Sequence, residues 1–227
     1  MATAASTTAF DMWRVITAGY ASSYLRSHAW DMPCDFHYAA IGAGVLPGVT
    51  DPLARASWWA DASGIPPDNG VGLFGGVNVS TDPTLLGNES LRALWAGDDH
   101  LSQALHASVA ATAVKLPRDD LPLWVLHGAS DGLLPTAFSS EPYVAWLREQ
   151  GRQPIYWQVP HAQHFDAFLA LPGFGDWHVP LLPYGYVALD RLWAHLYQGV
   201  AWPVDLATPA ARPRGPGALE ASSLDLP

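Results

Sequence analysis

The sequence predicts an α/β fold, with the edge of a mostly parallel sheet carried in the second half of the chain. Leu121 to His127, LPLWVLH, is a short apolar run ending at Gly128, and Ile155 to Val159, IYWQV, is another. Short continuous apolar runs bounded by turn residues are the pattern of strands buried on both faces. Each run leads through a turn into an amphipathic helical segment, so the order is strand, turn, helix, strand, turn, helix. Loops that follow such strands are where open α/β sheets bind ligands.

The elements follow in chain order. Phe10, Trp13, Ile16, Thr17, Tyr20, Tyr24 and Leu25 recur at helical spacing, which predicts an amphipathic helix beginning near Thr8. Residues 29 to 88 are rich in Gly, Pro and Asp, with short apolar pieces such as VGLFGGV and no strand–helix alternation. They predict a lid or insertion of loops and short helices. Between 89 and 113, Leu91, Leu94, Trp95, Leu101, Leu105 and Val109 share one side, and Asp98, Asp99 and His100 interrupt them. One helix or two shorter ones fit equally. Residues 137 to 150 predict a helix with Phe138, Tyr143, Trp146 and Leu147 inward, stopped by Gly151. Residues 184 to 199 predict another, with Ala188, Leu189, Leu192, Trp193 and Leu196 on one face before Gly199. From Trp202 onward Pro, Ala, Gly and Ser show no period, which predicts a disordered or loosely attached tail. The expected organisation is a lid-like region over 1–115, an α/β segment over 116–200 and a Pro/Ala-rich tail over 201–227.

Composition narrows the function. A chain of 227 residues, 49% hydrophobic and 14% charged, is long and apolar enough for one core. Its 11 Trp supply large contact areas, for the core or for a greasy cleft. The net charge of -10 disfavours nucleic acid and anionic membrane surfaces, which select basic patches. Cys34 is the only cysteine, so no internal disulfide is expected. No apolar run approaches a membrane span, and the opening MATAASTTAFDMW does not have the form of a signal peptide.

Two residues stand where chemistry is expected. Asp131, in HGASDGLLP, lies just past the first strand, and His164, in PHAQHFDAF, lies just past the second. A carboxylate and an imidazole on successive strand-end loops can meet over one sheet edge. The carboxylate would hold the imidazole's tautomer, and the imidazole would shuttle the proton of a serine nucleophile. The competing reading is that Asp131 only makes a turn or caps a helix, since Asp followed by Gly is common in turns. Gly128, Ser130 and Gly132 also fit the nucleophile-elbow pattern G-x-S-x-G, which makes Ser130 an alternative nucleophile. Against it, only one further strand separates Ser130 from His164, and Asp131 is its direct neighbour. His161, His164 and Asp166 form H-x-x-H-x-D, but zinc histidines usually sit on a helix at i and i+4, and these follow a strand. No metal and no cofactor are expected. His127 abuts the turn and could line it; His28, His37, His100, His106, His178 and His195 have no evident partner pattern.

The segment from Pro122 to Gly199 resembles the C-terminal part of the D-3-hydroxybutyrate oligomer hydrolases. The residues that carry the likeness are LHGASDGLLPTAFSSEPYVAW, AQHFDAFLALPGF and VPLLPYGYVALDRLWAHLYQG. PVDLATPAARPRGPGA, SSYLRSHAWDMPCDF and LRALWAGDD extend it toward the tail and the lid region. The resemblance implies an α/β-hydrolase fold and hydrolysis of linear 3-hydroxybutyrate esters, of the hydroxybutyrate-dimer hydrolase type. It implies Asp131 as the acid partner and His164 as the base, with the family's serine and oxyanion donors upstream of these residues. It thus implies a fragment or truncated form without the nucleophile half. The expected partner is a small ester, with no membrane insertion. Another esterase or peptidase of the same fold, or a non-catalytic remnant, are the alternatives. Cell compartment, chain-length preference and oligomeric state are left open.

Overall fold

The structure is a computed structural model that describes residues 12–28, 31–40, 71–74, 88–204 and 206–226. The described residues divide into two compact units, one within 11–114 and one within 115–227. Among the described residues no helix is long and apolar enough to cross a membrane.

In the first unit, α1 spans Met12–Leu25 and packs on α2, Asn88–Ala96, and α3, His100–Ala111. The interruption at residues 98–100 separates two helices: the Asp99 carboxylate accepts from Ser102 N at 2.9 Å and caps α3. The expected start of α1 near Thr8 lies outside the described residues, as does most of the 29–88 region. Within that region the VGLF piece is a strand, β2 (Val71–Phe74), antiparallel to β1 (His37–Ala40). Ala18, Met32, Phe36 and Leu73 form this unit's core.

The second unit holds mixed helices and a small parallel sheet. Strands β3 (Trp124–Gly128) and β4 (Ile155–Val159) pair in parallel, with Trp124 opposite Ile155 and Gly128 opposite Val159. Side chains on β4 alternate: Ile155, Trp157 and Val159 are buried, while Tyr156 and Gln158 face the other way. The buried face meets α6 (Leu182–Gln198) through Leu181, Tyr184 and Val187. The opposite face meets α4 (Ser140–Glu149), where Ser140 Oγ and Tyr156 OH lie 2.7 Å apart. Helices therefore cover both faces, as a parallel pair requires. Gly151 (φ 78°) and Gly199 (φ 72°) follow α4 and α6 in the left-handed conformation that closes a helix.

Three expectations are corrected. Phe138 is 85% exposed, because it ends a 3-10 turn, Thr136–Phe138, whose phase differs from that of α4; Leu147 is inward as expected, and Val144 takes the place beside it. On α6 the apolar residues are not confined to one side. Tyr184 and Val187 pack on the sheet, while Leu182, Tyr186, Leu189, Trp193 and Leu196 are exposed along the other side. The tail is not loose: Trp202, Leu206, Ala211 and Leu224 join the core over β4. Trp157 Nε1 donates to Leu206 O at 3.2 Å and Tyr184 OH donates to Leu224 O at 2.7 Å. An extended chain needs no periodicity to pack when buried polar tips find its carbonyls.

Candidate active site

The site forms where β3 and β4 end. After Gly128 the chain turns tightly, with Asp131 N donating to Gly128 O at 3.0 Å. After Val159 it turns at His161, whose φ of 61° is in the left-handed region. A non-glycine residue there is strained by about 1–2 kcal/mol. His161 is held by its carbonyl, which accepts from Val179 N at 3.1 Å and from His178 Nδ1 at 3.0 Å. The two turns are bonded to each other: Ala129 N donates to Val159 O at 2.8 Å and Ser130 N to Ala162 O at 3.0 Å. They approach so closely that a Cβ on Gly128 would lie 2.5 Å from Ala162 O. Only glycine fits that position without displacement.

This framework brings Asp131 and His164 together. His164 Nδ1 lies 2.8 Å from Asp131 Oδ2. The Asp131 side chain is 2% exposed and that of His164 31%. An ionised carboxylate only accepts, so Nδ1 carries the proton and Nε2 of the neutral ring is left as an acceptor. Asp131 Oδ1 accepts from Leu133 N and Leu134 N, both at 2.9 Å. The turn-forming and imidazole-orienting readings of Asp131 are thus both true, one for each oxygen. Burial alone would push this carboxyl up. The hydrogen bonds from His127 and His164, with that from Leu134 N, outweigh burial and hold it well below the usual carboxylate range.

Spacing did not reveal a third member. His127 Nε2 lies 3.1 Å from the same Oδ2. Nor did it reveal the polar chain beneath: Gly132 N donates to Gln163 Oε1 at 3.3 Å, and Gln163 Nε2 lies 3.3 Å from His178 Nε2. Gln163 and His178 are 2% and 3% exposed. Because His178 Nδ1 donates to a carbonyl, its Nε2 is the acceptor for the Gln163 amide. Desolvation lowers the His178 pKa, in keeping with that neutral ring.

The remaining candidates are placed elsewhere. Ser130 lies in the turn after β3, but the next α-helix begins only at Ser140, so the strand–turn–helix of an elbow is not formed there. Asp166 turns away from the histidines: Oδ1 accepts from Leu181 N at 2.6 Å and Oδ2 from Leu182 N at 2.8 Å, capping α6 across sequence. His161, His164 and Asp166 do not converge as a ligand set.

Comparison with known proteins adds the family. The model of the 3HB-oligomer hydrolase (3HBOH) family matches residues 2–225. The chain is 34% identical over 214 residues to the D-(-)-3-hydroxybutyrate oligomer hydrolase of Cupriavidus necator, covering 86% of this chain and 30% of that protein. It is likewise 34% identical over 229 residues to the enzyme of that name from Burkholderia thailandensis, covering 93% of this chain and 32% of the relative. The chain thus spans about a third of the length of these relatives. No solved structure matches. On the family match across nearly its whole length, the chain belongs to the 3HB-oligomer hydrolase family.

Proposed function

We propose that this chain supplies the acid–base pair of a serine-type carboxylic ester hydrolase that cleaves 3-hydroxybutyrate dimers and oligomers to monomers. The observation that carries the reading is the 2.8 Å bond between His164 Nδ1 and a buried Asp131 carboxylate on adjacent strand-end loops. The names of the relatives support the substrate. A small parallel sheet covered by helices on both faces suits an α/β-hydrolase. The serine comes from a segment outside these residues, as the resemblance implies, and residues 1–115 are the lid-like region.

His164 Nε2 accepts the serine proton as the oxygen attacks the ester carbonyl, and the imidazolium is stabilised by Asp131. The proton then passes to the departing 3-hydroxybutyrate hydroxyl, which leaves an acyl-enzyme. Water gives its proton to the same nitrogen, attacks the acyl carbonyl, and the serine regains its hydrogen. A carboxyl held well below its usual pKa stays ionised throughout, which this role needs.

Splicing residues 2–225 into the matched region of the Cupriavidus necator relative tests the proposal. Release of 3-hydroxybutyrate from its dimer should fall about 10⁴-fold or more in the His164→Ala form of the chimera. Turnover equal to that of the unsubstituted chimera would refute the assignment.

A further inference from the structure

The Asp131 carboxylate has more donors than an acid–base pair requires. Oδ1 takes two backbone amides, and Oδ2 takes two imidazoles, His164 at 2.8 Å and His127 at 3.1 Å. The two imidazoles differ in their mounting. His164 sits on a loop and is 31% exposed, whereas the His127 side chain is 14% exposed and belongs to β3, in register with Gln158 of β4. His127 reaches the carboxylate because the Gly128–Asp131 turn folds Asp131 back over the end of its own strand. Its donor is Nε2–H, whereas His164 uses Nδ1–H. Three other polar groups are bonded elsewhere. Asp166 caps α6, Glu141 accepts from Thr136 and Gln158, and His178 is tied to Gln163 and the His161 carbonyl.

We propose that His127 is a positioning residue, a strand-mounted strut that fixes Asp131 Oδ2 where His164 Nδ1 meets it. The two amides on Oδ1 anchor one oxygen but still permit rocking of the carboxylate about that anchor. A donor on Oδ2 from the rigid strand removes this motion, so Oδ2 keeps one place as the looser His164 ring moves. The inference rests on the proposed acid–base role only through the Asp131–His164 bond.

Proton NMR of the 227-residue chain, labelled with ¹⁵N-histidine, tests it. Wild type should show a downfield Nδ1 proton of His164 that exchanges slowly with water and that Asp131→Asn abolishes. His127→Phe should speed its exchange by about tenfold, the equivalent of one hydrogen bond, and broaden it. His127→Gln, whose amide nitrogen can stand where Nε2 stands, should restore slow exchange; a packing defect alone would not be rescued this way. Backbone amide spectra report whether each variant is folded. An unchanged His164 signal in His127→Phe overturns the strut and leaves the acid–base pair standing. A wild-type spectrum whose His164 signals do not respond to Asp131→Asn overturns both.

Discussion

Replacing Gly128 with Ala places one methyl group against the backbone that carries His164. Its Cβ would lie 2.5 Å from Ala162 O, 2.7 Å from Ala162 C and 2.9 Å from Gln163 O. Ordinary contact begins near 3.4 Å, so the two turns must separate by roughly 0.9 Å. These three neighbours are all backbone atoms, and Ala162 is held by the Ser130 N bond and by its parallel bridge to Val179. No flexible side chain can yield instead. Overpacking of this kind costs about 1–3 kcal/mol. The displaced loop begins two residues before His164, so Nδ1 should part from Asp131, and in an active assembly a shift approaching 1 Å costs on the order of 100-fold in rate. Urea unfolding gives the stability change, and the His164 Nδ1 proton resonance reports the bond. A stability within about 0.5 kcal/mol of wild type, with that resonance unmoved, would refute the reasoning.

Other expected outcomes follow from the same geometry. Asp166→Ala removes both acceptors at the start of α6 and should lower stability by about 1–2 kcal/mol, read by urea unfolding; the loss should be largely absent in Asp166→Asn only if one amide bond suffices. Gln163→Leu strands Gly132 N and His178 Nε2 in a buried site and should cost about 1–3 kcal/mol in the same assay. Both Asp131 and His178 have folded pKa values below their ordinary ones, so the unfolded chain binds more protons as pH falls. Stability should therefore be highest above about pH 6.5, decline below it as the unfolded His178 protonates, and decline again below about pH 4 as the unfolded Asp131 does. Unfolding free energies from pH 8 to 3 measure this, and His178→Gln should flatten the upper step only.

How much was legible in the sequence depended on how local each cause is. Strand β4 has the expected bounds, because a β-rich apolar run between Pro154 and Pro160 leaves little choice. Strand β3 begins at Trp124 and not Leu121; Leu123 is the first residue to bond its partner, through its carbonyl to Ile155 N. The pairing of β1 with β2 was not legible, since four-residue strands more than 30 positions apart carry no signal of each other. Phe138 was misplaced because one helical phase was run through a 3-10 turn. The meeting of Asp131 and His164 was legible because each lies in the loop that follows a strand. The place of His127 beside the turn was legible too, but its bond to Asp131 was not, because i,i+4 neighbours meet on a helix but not across a strand and turn, unless the turn doubles back. Gln163 joins Gly132 and His178 across 31 and 15 positions, and only the folded loops make them neighbours.

The outer side of α6 has a practical consequence. Leu182, Tyr186, Leu189, Trp193 and Leu196 recur every three or four residues and are exposed, so the outer side of this helix is largely apolar where a polar face is usual. A dye that lights up on greasy surface, commonly used to flag a melted core, would bind the folded 227-residue chain along that ridge. Its fluorescence would be high before any heating, and the signal on warming would mix loss of the ridge with exposure of the interior. Melting of this chain is better followed by the near-ultraviolet signal of the buried Trp157 with the half-buried Trp124 and Trp202, whose rings meet edge-on against the core.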